Sequence, residues 1–135
     1  MDNAGVLREV LEKGFGGGDL SVADRCAGPT IIEHEYGAPQ LDTGAATLRA
    51  QIEGARSEMA GLTITVEDMV EDGDKVWARS TGRGTDPRSG QELTLTVMDV
   101  CRFEDGRIVE HWGVPDRFAL LHQLGALPER PAEAV

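Results

Sequence analysis

The residues MDVCRFEDGRIVEHW, at positions 98–112, have the pattern of two β-strands joined by a tight turn. The dipeptide Asp105-Gly106 favours the turn of a β-hairpin, because glycine adopts the required backbone angles without strain. Apolar and polar residues alternate on the side before the turn, as in a strand with one buried face. The stretch therefore predicts a hairpin of two strands, over 91–104 and 107–114.

Further strands and helices extend outward from this hairpin. Leu62, Ile64 and Val66 alternate with polar residues, which predicts a strand from about residue 61, and turn residues at 71–74 and 86–90 bound another strand over 76–85. Apolar residues at helical spacing predict the helices, and a β-branched run predicts one short strand. The predicted helices cover 3–13, 19–26, 44–59 and 116–124, and the short strand covers 30–36.

The order of the elements defines the fold class. Helices come first and an antiparallel meander follows, which is typical of an α+β protein with helices on one face of a curved sheet. Such a cup leaves a concave, mostly apolar pocket where small molecules bind. The 135 residues suit one domain, which we place at 1–127, followed by a flexible Pro/Ala/Glu-rich tail over 128–135.

Composition limits the classes of binding partner and the cellular location that we expect. The chain has 24 acidic and 13 basic residues and a net charge of −11, which disfavours nucleic acid and anionic membranes as partners. No apolar run approaches the ~20 residues of a membrane span, and the N-terminus lacks a secretory pattern. We therefore expect a cytoplasmic protein in which Cys26 and Cys101 are reduced thiols. The spacing of His34, His111 and His122 predicts no metal site.

The stretch 98–112, followed by Asp116 and by LLHQLG at 120–125, resembles the C-terminal signature of SnoaL-like proteins. These polyketide cyclases belong to the NTF2-like superfamily, and the order of helices and strands extends the resemblance over roughly residues 3–125. The resemblance implies a cystatin-like cone with N-terminal helices packed on a curved antiparallel sheet of about four to six strands. It also implies a homodimer through the open face of the sheet.

Asp116 is the residue to which the resemblance assigns catalysis. Its position is similar to that of the catalytic aspartate of SnoaL-type cyclases, which need no cofactor. There one carboxylate in an apolar cup removes a proton from an activated carbon and returns it during aldol closure, because desolvation raises its pKa. Asp116 also precedes the predicted closing helix, where an aspartate is a good N-cap. Both roles remain open.

Asp99 is the carboxylate that strand alternation itself singles out. It shares a strand face with Val97, Cys101 and Phe103, and that face is apolar. If this face points into the cup, Asp99 is a buried charge that needs a partner or a raised pKa. A register that places Asp99 in solvent, or a buried pair with a structural role, is the alternative.

Two histidines receive different interpretations. His34 lies near the end of a predicted strand that, in the family, often brings a histidine to the pocket mouth, where it would assist as an acid or base. The alternative is a surface histidine between Glu33 and Glu35. His111 should face away from Trp112 on its strand, and we interpret it as structural or interfacial.

Arg79 is a candidate for polarising a substrate oxygen. If Trp77 points inward, so does Arg79, although a solvent-facing arginine fits the pattern equally well. With Asp99 and Asp116 it could imitate the Asp–Arg–Asp set of epoxide-hydrolase relatives, but the local Arg-x-Asp order is absent. Apolar walls for a substrate would come from Tyr36, Met59, Trp77, Trp112 and Phe118.

Three functions follow from these residues and the resemblance. The first is a cofactor-independent cyclase or isomerase acting on a hydrophobic, carbonyl-containing small molecule of polyketide type. The second is an epoxide hydrolase or epoxide-opening cyclase of the limonene-epoxide-hydrolase type. The third is a non-catalytic module that binds a small ligand. The fold alone does not separate them, because one superfamily hosts all three.

Overall fold

The computed structural model describes residues 1–127, so the tail predicted over 128–135 lies outside the described residues. The α-helices are α1 Asn3–Glu9, α2 Val22–Cys26, α3 Gly44–Glu58 and α4 Arg117–Gln123, and a π-helical segment, Val10–Phe15, continues α1 directly. The strands are β1 Ala27–Glu33, β2 Ala60–Asp72, β3 Lys75–Thr85, β4 Glu92–Glu104 and β5 Arg107–Pro115. The predicted α+β class and the predicted cone are confirmed.

The five strands form one sheet in the order β1-β5-β4-β3-β2. Strands β2 to β5 form the predicted antiparallel meander. Strand β1 departs from the all-antiparallel expectation, because it pairs with β5 in parallel. A parallel pair needs a long crossover connection, and here α3 together with β2, β3 and β4 provides it.

The helices pack on one face of the sheet, which we call the inner face. The largest fully buried side chains include Leu7 of α1, Ile52 of α3 and Val76 of β3. Helix α3 lies close to β1, because a Cβ at Gly44 would overlap the carbonyl oxygen of Gly28 and only glycine allows this approach. Within residues 1–127, no helix is both long enough and apolar enough to cross a membrane.

A β-bulge in β5 determines which residues of that strand face inward. Arg102 lies opposite Glu110, whereas the next residue of β4, Phe103, lies opposite Ile108, so Val109 is an extra residue in β5. A one-residue insertion reverses the alternation of side chains beyond it. Ile108 and Val109 are accordingly both buried. Beyond the bulge, every odd-numbered residue of β5 points to the inner face.

The other side of the sheet, which we call the outer face, exposes several apolar side chains. Trp77, Met98 and Val114 are each more than a third exposed there. This is the face through which a homodimer is predicted, and the homodimer stays a prediction.

Candidate active site

A cavity of about 450 Å³ lies between the inner face and the helices. Most of its lining is apolar, with contributions from the π-helical segment, α3 and the first half of β4. The polar lining is concentrated where β1, β4 and β5 meet, at Glu33, Glu35, Asp99 and His111. The cavity therefore combines an apolar wall, which suits a hydrophobic ligand, with a cluster of ionisable groups.

His111 is the centre of this cluster. Its Nδ1 lies 2.7 Å from Oε2 and 2.9 Å from Oε1 of Glu33, and its Nε2 lies 2.7 Å from Oδ1 of Asp99. Ionised carboxylates only accept hydrogen bonds, so both ring nitrogens donate and the ring is an imidazolium. Burial alone would lower the pKa of His111, but its hydrogen bonds to Asp99 and Glu33 and their charges raise it to about 10.

Glu33 holds His111 in place. Its side chain is only 1% exposed, and it accepts hydrogen bonds from His111, from the side-chain amide of Gln51 and from the backbone N–H of Glu35. Burial would raise the pKa of Glu33, but the contacts with His111, the Glu35 N–H and Gln51 outweigh it and lower the pKa. Glu33 is therefore an anchoring group whose oxygens are already engaged.

Glu35 is the least engaged carboxylate of the cluster. The side-chain hydrogen bond that it makes within residues 1–127 is a long one, 3.4 Å, from Nη2 of the exposed Arg117. Burial raises the pKa of Glu35, and the charges of Asp99 and Glu33 add to the rise against the opposing effects of His111 and Arg117. A carboxyl with a raised pKa inside a cavity is suited to take a proton and to return it.

Local strand geometry brings these groups together. Glu33 ends β1 and Glu35 follows two residues later, so both side chains point to the inner face. Asp99 lies opposite Gly113 in the β4–β5 ladder, and His111 is two residues from Gly113 on the same face. A Cβ at Gly113 would overlap both the Glu35 carboxylate and the His111 ring, so this glycine makes room for the two side chains above β5.

The cluster is also a candidate metal site by composition. Glu35, Asp99 and His111 each offer a ligand atom, and these atoms lie within 4.8 Å of one another. A metal needs a free lone pair on the imidazole, whereas both nitrogens of His111 carry protons bound to carboxylates. A cation would have to displace one of these protons, so any metal affinity of the cluster would fall as the pH falls.

Asp116 lies at the start of α4 and is not among the residues that line this cavity. Its side chain accepts a hydrogen bond of 3.0 Å from the backbone N–H of Ala119, which makes it the N-cap of the helix. Strand alternation explains the placement, because even-numbered residues beyond the bulge point away from the inner face. Of the two roles left open for Asp116, the structure shows the cap.

His34 and Trp112 lie together on the outer face. Their rings stack with centroids 4.8 Å apart, and Nε2 of His34 lies 2.7 Å from Oε2 of Glu110. Neither residue lines the cavity. The glutamates on either side of His34, which the sequence presented as its surface neighbours, are the residues that face inward.

Trp77 and Arg79 also lie on the outer face. Arg79 donates two hydrogen bonds, of 2.9 and 2.6 Å, to Oδ2 of Asp68, and Trp77 is 39% exposed. Their β3 neighbours Ala78 and Ser80 are buried on the inner face instead. The condition under which Arg79 would polarise a substrate, an inward Trp77, is therefore not met, and the predicted set of Arg79 with Asp99 and Asp116 is not assembled.

The remaining predicted wall residues divide in the same way. Met59 is buried and lines the cavity. Tyr36 is 94% exposed, and Phe118 is 71% exposed beside Asp116, outside the cavity. The predicted residues that the structure brings to the cavity are thus Asp99 and Met59. The sequence interpretation missed His111 as a cavity residue, together with Glu33 and Glu35.

The fold and the site can be compared with known proteins. A family model of SnoaL-like polyketide cyclases matches residues 5–124. Among solved structures, TsrD from Streptomyces laurentii is 29% identical, with a TM-score of 0.79 and coverage of 92% of this chain and 95% of TsrD. IdmH from Streptomyces antibioticus, a proposed polyketide cyclase, is 27% identical, with a TM-score of 0.79 and coverage of 93% and 99%.

A third similar structure has a different proposed activity. AclR from Streptomyces galilaeus, a proposed hydroxylase, is 25% identical, with a TM-score of 0.79 and coverage of 96% of this chain and 89% of AclR. A comparison with curated proteins found no match. The family and these neighbours together support a cyclase or isomerase kind of function. Because the family match spans most of the sequence, the chain belongs to the SnoaL-like polyketide cyclase family.

Proposed function

We propose that this chain is a cofactor-independent cyclase or isomerase that acts on a hydrophobic, carbonyl-containing small molecule of polyketide type. One observation carries the proposal: Glu35 and Asp99 flank a protonated His111 at one end of an apolar cavity. An apolar wall favours a hydrophobic substrate, and a carboxylate beside it can take a proton from carbon.

Glu35 is the group to which we assign the proton transfer, in place of Asp116. Asp99 gives one carboxylate oxygen to a charge-assisted hydrogen bond with His111, so that oxygen is already engaged. Within residues 1–127 the Glu35 carboxylate has only the long hydrogen bond with the exposed Arg117, and its pKa is raised, so its oxygens are available to take a proton. Asp99 keeps an assisting role, and the histidine that assists is His111 rather than His34.

The proton balance of the proposed reaction is simple. Glu35 takes a proton from a carbon next to a carbonyl group, and the electron pair of the C–H bond moves into an enolate. In a cyclisation, the enolate carbon bonds to a second carbonyl carbon, and the proton passes from Glu35 to the new alkoxide oxygen. In an isomerisation, Glu35 returns the proton to a different carbon. Neither course needs an oxidant or a reductant.

The first step can be measured without knowing the natural substrate. We would follow by NMR the exchange of the α-protons of 2-tetralone, an apolar bicyclic ketone, for deuterium in D₂O. The wild-type protein should accelerate exchange above the buffer rate, and Glu35→Gln should lower the accelerated rate at least about 100-fold, because general acid–base catalysis contributes factors of this size.

A matched variant separates this role from a general effect of charge. Glu67 is an exposed glutamate on the outer face of β2, where it accepts a hydrogen bond from Thr81. Glu67→Gln should keep the wild-type exchange rate. If Glu35→Gln exchanges as fast as wild type, the assignment is wrong. If wild type binds 2-tetralone without accelerating exchange, the non-catalytic binding module becomes the better description.

Epoxide opening is a second candidate, and one observation favours it. Ligand atoms of Glu35 and Asp99 lie within 4.8 Å of each other, a separation that one water molecule can bridge with two hydrogen bonds. Arg117 lies beside Glu35 and could bind the epoxide oxygen. Incubation with limonene 1,2-epoxide in H₂¹⁸O tests this: formation of labelled diol by wild type, lost in Glu35→Gln, would favour the hydrolase over the cyclase.

A further inference from the structure

The hydroxyl of Ser80 is a buried polar group without a partner. Ser80 is 1% exposed, and its Oγ has no hydrogen-bond partner within residues 1–127. Ser80 is one of the residues that line the cavity, and its Oγ is covered by neighbouring atoms, so the side chain has to turn toward a ligand to bind it. Nearly all buried polar side-chain atoms in proteins are hydrogen-bonded, since an unpaired one destabilises the folded state. An alanine here would be neutral or stabilising for the fold alone, so the serine calls for another explanation.

The position of Ser80 relates it directly to the ionisable cluster. In the β3–β4 ladder, Ser80 lies opposite Val97, and Ala78 lies opposite Asp99. Ser80 and Asp99 are therefore diagonal neighbours on the inner face, a relation that places residues about 7–8 Å apart. A ligand atom that accepts a hydrogen bond from the hydroxyl would therefore lie close enough to the cluster for neighbouring atoms of the same ligand to contact the carboxylates.

The other buried donors of the cavity are already engaged, and the exposed Arg117 lies beside Glu35. His111 gives both of its N–H groups to carboxylates. Gln51 gives its amide group to Glu33 and to the carbonyl oxygen of Pro39. The buried part of the cavity therefore offers a ligand mainly carboxylate oxygens, which accept hydrogen bonds and donate none. A neutral carbonyl oxygen needs a donor, and the free hydroxyl in the apolar wall is one.

We infer that Ser80 donates a hydrogen bond to a carbonyl oxygen of the ligand, and that the cavity selects ketones over hydrocarbons of the same shape. The inference rests on the proposed function and adds the substrate group that is recognised. Holding the oxygen at Ser80 directs the neighbouring carbon toward Glu35 and Asp99. The same bond strengthens as the oxygen gains negative charge in the enolate, so Ser80 contributes to catalysis as well as to selection.

A pair of matched ligands tests the inference by binding alone. 2-Tetralone and tetralin share one two-ring skeleton and differ in the ketone oxygen. Their dissociation constants can be measured by displacement of the neutral fluorescent probe N-phenyl-1-naphthylamine. The ratio of the tetralin constant to the 2-tetralone constant should fall about two- to tenfold in Ser80→Ala, the range that one net hydrogen bond contributes. Thr81→Ala is the control.

Thr81 adjoins Ser80 but gives its hydroxyl to Glu67 on the outer face, so its removal should leave the ratio unchanged. The melting temperature of Ser80→Ala should be no lower than that of wild type, which separates a lost contact from a damaged fold. An unchanged ratio in Ser80→Ala overturns the inference, and so does failure of both ligands to displace the probe.

The outcome is distinguishable from that of the proposed function. If the ratio falls as expected but wild type does not accelerate α-proton exchange, the ligand class stands and the proposed reaction fails. If exchange depends on Glu35 but the ratio does not depend on Ser80, the reaction stands and the recognition by Ser80 is wrong.

Discussion

Raising the pH from 6.5 to 10 is expected to weaken the folded state through the proton of His111. The unfolded chain releases this proton near the ordinary histidine pKa of about 6.5. The folded chain keeps it until about pH 10, because Asp99 and Glu33 hold it against the opposing effect of burial. Between these values the unfolded state binds fewer protons than the folded state, so the free energy of unfolding falls as the pH rises.

The size of the effect follows from the same two values. At about 1.4 kcal/mol for each pH unit, the full window corresponds to about 5 kcal/mol, with the stabilisation complete below pH 6.5 and lost through pH 10. The free energy of unfolding of a folded domain is about 5–15 kcal/mol, so the proton of His111 accounts for a large part of it. We therefore expect a steep loss of stability at alkaline pH.

Urea unfolding followed by circular dichroism at pH values from 6 to 10 measures this loss, and His111→Gln is the reference. The variant should be less stable than wild type at pH 7 by about 3–5 kcal/mol, because two buried carboxylates lose their counter-charge. Its stability should not fall across the window as wild type does. NMR of the wild-type imidazole gives an independent reading: a His111 pKa near 6.5, or parallel pH curves for both proteins, would refute the reasoning.

Three further predictions concern neighbouring residues. Asp116→Ala should lower the free energy of unfolding by about 1 kcal/mol through loss of the N-cap, with 2-tetralone exchange unchanged; loss of exchange would return the catalytic role to Asp116. Gly113→Ala should displace the Glu35 carboxylate and the His111 ring and lower the exchange rate about 10- to 100-fold while the circular dichroism spectrum is retained, and wild-type exchange would contradict this. The pKa of Glu33 is lowered because contacts with His111 outweigh burial. The ionised Glu33 therefore stabilises the fold above about pH 4.5, and this stabilisation is lost as the pH falls below that value. In Glu33→Gln, the free energy of unfolding measured at decreasing pH should lack this loss.

The fold could be predicted because its signals are local. A period of two residues in 62–67 and 91–104, and a helical period in 44–59, each report which face of one element is buried. The structure has strands and a helix at these places. The parallel pairing of β1 with β5 has no such signal, since it depends on segments almost 80 residues apart.

The site was harder to predict from the sequence than the fold, because one extra residue in β5 reverses the alternation of its side chains. Alternation alone put Asp99 with the apolar residues of β4, and the structure places it there, on the inner face. Extending the same alternation through Asp105-Gly106 requires an unbroken ladder, whereas Val109 is a bulge. In the sequence, the bulge is indicated by two adjacent apolar residues, Ile108 and Val109, where strict alternation would have one. If both residues are placed on the inner face, the alternation that follows puts His111 on the inner face and Trp112 on the outer face.

Burial and the arrangement of charges explain why the carboxyl of Glu35 holds a proton more readily than an ordinary glutamate. Glu33 and Asp99 are tied to one imidazolium, so together they leave an excess negative charge beside Glu35. Burial raises the pKa of Glu35 most, and the charges of Asp99 and Glu33 add to the rise against the opposing effects of His111 and Arg117. It follows that the two engaged carboxylates tune the reactive one although neither needs to touch the substrate. Asp99→Asn should then shift the pH dependence of 2-tetralone exchange toward lower pH, a change in the profile that loss of packing alone would not produce.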